Sequence, residues 1–134
     1  DKLASFKSCP NMKYFGKVSY TDGLRIMYNA DLIYAMYSKI NPNHIYAAPN
    51  KYYEAMFVGK PVITTEGIIV GDKITKNNYG FAIGERFLDL QNLIISLEKN
   101  DLLIKSSLLL KSWAVYKDVT ANYLKGFYSQ LLKI

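Results

Sequence analysis

Several common chemistries lack their residues in this sequence. Its one cysteine, Cys9, excludes an internal disulfide framework and fits a reducing compartment. Its one histidine, His44, excludes a multi-His metal site within the chain and leaves Ser-His catalysis a single candidate base. No apolar run reaches the ~20 residues of a membrane span, and the opening DKLASFKSCPN is not organised as a signal peptide, so a cytoplasmic location is expected. Basic residues are scattered, with no Arg-rich arm or lysine block, and a nucleic-acid partner is not expected. There is no G-x-G-x-x-G, no Walker lysine loop and no H-E-x-x-H, so dinucleotide, P-loop and zinc-protease chemistry have no motif here. Repeats, linkers and low-complexity segments are also missing.

The chain does have 134 residues, half of them hydrophobic, which is enough for one sizeable core in one domain spanning 1–134. Seventeen Lys and Arg against eleven Asp and Glu give a net charge of +6, which favours anionic partners and leaves a peripheral membrane contact open. Four short, continuously apolar runs predict strands covered on both faces: residues 13–18 (KYFGKV), 31–37 (DLIYAMY), 61–65 (PVITT) and 80–83 (GFAI). Between them the spacing predicts helices. One is capped by Ser19 or Thr21, with Leu24, Met27 and Tyr28 on one face. A second runs from about Asn50 to Val58, and a shorter one covers 71–77. Strands alternating with helices at this spacing predict an α/β fold with a parallel sheet.

After Gly84 the pattern turns helical. Phe87, Leu90, Leu93, Ile94 and Leu97 form one stripe, Asn100-Asp101 marks a break, and a further helix covers 102–110. Ser112 then caps a last helix in which Trp113, Tyr116, Tyr123, Phe127 and Leu131 recur at helical spacing, chiefly for packing.

Ligands of an open parallel sheet bind beyond the carboxyl ends of its strands. Here those ends lead into Val18-Ser19, the loop 38–49, and Glu66-Gly67. The middle loop, which holds His44, ends at Pro49-Asn50, where Asn50 as N-cap leaves the N–H groups of Lys51, Tyr52 and Tyr53 free for an anion, with the Lys51 charge beside them. Small Ala47 and Ala48 permit close approach to the backbone. One turn further in, the two oxygens of Glu54 suit a pair of neighbouring hydroxyls, such as those of a ribose. Taken alone, the same residues more often serve a local role: Glu54 as dipole partner, Pro-Asn as a helix start, Lys51 solvated. Gly59-Lys60-Pro61 is a helix stop followed by a strand opening.

The block PNKYYEAMFVGKPVITTEG resembles the signature of glycosyltransferases of the GT-B fold, family four (the "group 1" transferases). Its flanks agree: NMKYFGKVSYTDGLRIMYNADLIYAMY is similar to the family's preceding strand, helix and strand, NNYGFAI to its next strand, and SWAVYKDVTANYLKGFYSQLL to its closing helix. The resemblance implies the C-terminal, Rossmann-like donor-binding domain of such an enzyme, with flanking helices and a helical tail. It implies a nucleoside-diphosphate sugar as donor substrate, no metal or other cofactor, and an acceptor sugar, lipid or other molecule held by a separate N-terminal domain. By the same resemblance Glu54 binds the ribose hydroxyls, Asn50 and Lys51 meet the diphosphate or sugar, Tyr46, Ala48 and Pro49 border the donor sugar, and the backbone near Gly16 and Val18 borders the base. Two departures stand out. The usual Glu eight positions before the one matching Glu54 is Tyr46 here, and the family's first strand and helix, with their basic residues, precede what this chain holds. A fragment, inactive alone, is therefore expected, and a non-catalytic GT-B-like binding or assembly module is the alternative.

Overall fold

The computed structural model describes residues 10–131, with side chains through residue 126. Cys9 and the side chains of Phe127 and Leu131 lie outside the described residues. The chain is α/β, and its elements in order are α1 (Tyr20–Tyr28), β1 (Ile33–Tyr34), α2 (Pro42–Tyr46), α3 (Asn50–Val58), β2 (Val62–Thr65), α4 (Ile69–Asn77), β3 (Gly80–Ile83), α5 (Phe87–Ser96) and α6 (Lys99–Leu131). The three strands form one parallel sheet in the order β1-β2-β3, with Ile33 opposite Val62 and Val62 opposite Gly80. All four residues of β2 are buried, as a central strand covered on both faces requires.

The first predicted strand does not form. Residues 13–18 are irregular and exposed, with Gly16 in the left-handed region at φ 68°, and among the described residues no strand pairs with them. The second is shorter than its apolar run: Ile33 and Tyr34 form the strand, the Ala35 N–H makes one more backbone bond, to the Ile63 carbonyl at 2.9 Å, and beyond it side chains take over. Thr64 Oγ1 donates to the Ala35 carbonyl at 2.8 Å, and Thr65 Oγ1 donates to the Tyr37 carbonyl at 2.8 Å while accepting from the Tyr37 N–H at 2.9 Å. Both threonines are fully buried, and their hydroxyls do the work of ladder bonds.

Ser19, not Thr21, caps α1. Its hydroxyl accepts from the Asp22 N–H at 3.1 Å and donates to the Asp22 carboxylate at 2.6 Å. That bond, together with Arg25, holds the Asp22 carboxyl below the usual carboxylate range. Because α1 contributes Met27 to the core, Ser19→Ala lowers stability by about 1 kcal/mol, the ordinary cost of a lost cap, read as a lower urea midpoint at unchanged slope. An unaltered midpoint would show that α1 frays independently of the core.

α3 ends as its punctuation predicts. Gly59 takes the left-handed C-cap conformation, and any Cβ there would also meet the Leu110 side chain at 2.6 Å. α4 starts at Ile69, one residue pair before the predicted 71, and ends on Asn78, a left-handed non-glycine cap whose side chain accepts from buried Lys105.

The predicted break after the first tail helix is present, at Leu97-Glu98 between α5 and α6, and the two further helices predicted at 102–110 and from Ser112 are one. Asn100-Asp101 sits in the first turn of α6, where an acidic residue is favourable, and Asp101 accepts from Lys105 at 3.0 Å. Ser112 is no cap, since its hydroxyl is engaged by the Tyr79 hydroxyl. Leu109 is fully buried, and Trp113 packs edge-on against Phe57 of α3, whereas Tyr123, expected to pack, is 72% exposed. Among the described residues no helix is long and apolar enough to cross a membrane.

Candidate functional site

α3 follows the loop 38–49, which carries a short helix of its own, α2. His44 therefore lies in a helix rather than a loop, with Nδ1 2.9 Å from the Ser38 carbonyl and its ring edge-on to Tyr37. Pro49 occupies the N-cap of α3 with extended backbone, and Asn50 is the first helical residue, so Asn50 makes no side-chain cap. Proline has no side-chain acceptor, and the first turn closes through the backbone: the Tyr52 N–H donates to the Pro49 carbonyl at 3.0 Å and is not free for a ligand. The entrance stays open even so. Asn50 and Lys51 are exposed at it.

Glu54 has a partner. Lys51 Nζ lies 2.6 Å from Glu54 Oε2, and the same ammonium is 3.9 Å from the Met27 sulfur. The lysine side chain remains 53% exposed while that of Glu54 is only 10% exposed, so the lysine spans from solvent to a carboxylate lodged in the wall. Sequence reasoning assigned both residues to a ligand; the geometry first assigns them to each other, at the three-residue spacing that places them one above the other. Tyr37, which no sequence motif marks, borders this pair: burial pushes its phenol up, with smaller opposing influences from Lys51 and Glu54.

Glu54 and Asn50 stand at a cavity of about 520 Å³ whose other walls are Tyr20 and Leu24 of α1, Tyr53 and Phe57 of α3, and Trp113 of α6. A carboxylate and an amide on an otherwise apolar, largely aromatic wall suit a flat or ring-shaped ligand that carries hydroxyls. The aromatic faces supply contact area and the carboxylate accepts two hydrogen bonds. Beyond Leu24 and Phe57 a second hollow of about 380 Å³ continues between α1 and α3, past Arg25 and Asn29.

Of the residues singled out from sequence, the structure brings Asn50, Lys51 and Glu54 together. Pro49 is half-buried just before them, and Ala48 is exposed. Tyr46 ends α2 with 73% of its surface in water, and Gly16 and Val18 are exposed and line no wall of the Glu54 cavity.

A polar hollow of about 600 Å³ lies at the carboxyl ends of β2 and β3, lined by Lys39, Glu66, Gly84, Glu85, Arg86 and Asp89 among others. Only the Glu66 end was legible beforehand. Arg86 and Asp89 neutralise one another through contacts of 2.6 and 3.0 Å, which holds the Asp89 carboxyl below its usual range, and Glu85 accepts from the Lys39 N–H at 3.1 Å. Its charges are spent largely on fixing the start of α5. Among the described residues no group of three or more His, Cys, Asp or Glu side chains converges on a metal-sized site.

Comparison with protein-family models, with curated proteins and with solved structures found no match to the chain.

Proposed function

We propose that this chain is the donor-binding part of a glycosyltransferase of the GT-B type, family four, which moves a sugar from a nucleoside diphosphate to an acceptor. The observation that carries the reading is Glu54: a carboxylate 10% exposed, one turn inside the helix that follows a strand of a parallel sheet, on the wall of an aromatic cavity. The residue resemblance around it supports the same role. In this reading the three strands are the last strands of a Rossmann-like sheet, Glu54 takes the ribose hydroxyls, and the nucleoside lies against the aromatic walls. Charge on the departing diphosphate is met by the α3 entrance and by Lys51, which turns from Glu54 towards the phosphates as the hydroxyls replace it.

The test is a calorimetric titration of the chain with UDP, GDP and ADP and with their 2′-deoxy counterparts. One ribonucleotide binds, its 2′-deoxy form binds roughly tenfold more weakly, and Glu54→Gln removes the difference, as loss of a charged hydrogen bond requires. Equal affinity of wild type and Glu54→Gln for the ribonucleotide removes the assigned role.

A second reading, a GT-B-like binding or assembly module without catalysis, is favoured by one observation. Tyr46 stands where the family's sugar-contacting Glu is expected, and it points 73% of its surface to water without offering a carboxylate. Release of free sugar from a nucleoside-diphosphate sugar by the protein together with its acceptor domain excludes the module.

A further inference from the structure

Helix α5 (FLDLQNLIIS) is apolar on two sides. Leu90, Leu93 and Leu97 just beyond its end are half-buried on the inner side, yet the outer side carries Phe87 at 76% exposure, Leu88 at 60%, Ile94 at 52% and Ile95 at 77%. An apolar face on a helix is ordinarily a covered face. The four side chains together present on the order of 400 Å² of apolar surface, the size at which such a patch marks an interaction site.

The arrangement of that face selects its partner. Phe87 and Leu88 lie four and three residues before Gln91, and Ile94 and Ile95 three and four residues after it, so all five share one face and the pattern reads alike in both directions about Gln91. We propose that this face binds the α5 of a second copy, antiparallel, with a twofold axis passing by Gln91. Phe87 then meets Ile95 of the other copy and Leu88 meets its Ile94, each contact occurring twice, as a closed symmetric pair requires. Gln91 meets its own counterpart. An amide both donates and accepts, so two glutamines across a twofold satisfy each other, where a charged residue would face its like.

Charge agrees with this choice. The chain carries +6, but α5 has a single ionisable side chain, Asp89, which is paired with Arg86 away from the outer face. Two copies therefore approach through α5 without opposing their net charges at contact. An anionic bilayer, the other apolar-tolerant surface, would call for several free lysines or arginines flanking the stripe; α5 itself has none, and the adjoining Arg86 at its N-cap is paired with Asp89. Two such faces bury about 800 Å², below the ~1,200 Å² typical of stable complexes, so the pair is weak, reversible and in the micromolar range.

Sedimentation of the chain from nanomolar to high micromolar concentration tests the pairing, and oxidation of Gln91→Cys in a Cys9→Ser background tests its axis. The expected results are a concentration-dependent monomer–dimer equilibrium, weakened roughly tenfold or more by Ile95→Asp. The Gln91→Cys protein should be trapped rapidly as a covalent dimer, while Ser96→Cys, on the opposite side of α5, is not. A monomer at every concentration overturns the proposal, as does dimerisation undiminished in a folded Ile95→Asp protein. Equal crosslinking of Gln91→Cys and Ser96→Cys rejects the twofold axis, and that readout stands even if Ile95→Asp fails to fold.

Discussion

Thr65→Val lowers the unfolding free energy by about 3 kcal/mol, although valine matches threonine in shape. The fully buried hydroxyl of Thr65 donates to the Tyr37 carbonyl and accepts from the Tyr37 N–H, so its loss leaves both backbone groups of one residue without partners in a partly buried setting. Each such group costs about 1–3 kcal/mol, far more than the valine methyl returns by burial. A rank order follows. Thr64→Val, which orphans only the Ala35 carbonyl, costs about 1 kcal/mol, and Thr65→Ser, which keeps the hydroxyl, costs less than Thr65→Val. Urea denaturation of the three variants checks it, and equal losses for Thr65→Val and Thr65→Ser would show that shape, not the hydroxyl, holds residues 35–37.

The protein also loses stability above pH 10, through Tyr52. Burial, with smaller contributions from the neighbouring hydroxyls of Tyr79, Tyr53 and Tyr116, pushes the Tyr52 phenol up to about 12 from its ordinary 10.0. The sign follows from proton binding. Below pH 10 both folded and unfolded chains hold the proton and the shift has no effect on the balance. Above pH 10 the unfolded chain releases it while the folded one does not, so stability falls until the folded phenol ionises near pH 12. A displacement of two units amounts to roughly 2–3 kcal/mol over that window. Denaturant melts at pH 9 and at pH 11.5 should therefore diverge for the wild type and lie closer together for Tyr52→Phe; identical divergence in both proteins would assign the alkaline loss elsewhere.

Much of the scaffold could be read in advance, for reasons that differ by element. β2 and β3 were legible because each is a short run of β-forming residues bounded by turn residues, and Gly59-Lys60-Pro61 carries its conformation in its chemistry. Residues 13–18 have the same apolar texture, yet a strand is a relation between two segments, and composition does not say whether a neighbour is present. Beyond Ala35 the run extends without forming strand for a related reason, since threonine hydroxyls replace the backbone partners there. Residue type places a boundary at Asn100-Asp101 within a few residues of the real one, whereas Ser112 lies in the interior of α6. Their actual partners, Lys105 and the Tyr79 hydroxyl, come from helix geometry and from distant sequence.

The candidate site divides in the same way. Asn50, Lys51 and Glu54 are close in sequence and on one helix, so their proximity was legible, although the mutual pairing of Lys51 and Glu54 was not drawn from their spacing. The aromatic walls were not legible. Tyr20, Phe57 and Trp113 come from three helices, and only packing shows that they enclose one space.

The long closing helix is not one thermodynamic object. Up to Tyr116 it is anchored by Leu109 and by the rings of Phe57, Tyr53 and Trp113. From residue 117 to 126 its side chains stand in water apart from Thr120. Over residues 117–126, about 15 Å of helix, exposed side chains thus predominate, and so short a stretch is marginal without tertiary support. Its amides should exchange with solvent orders of magnitude faster than those before Tyr116, so proteases will meet a ready cleavage zone there while the sheet stays intact.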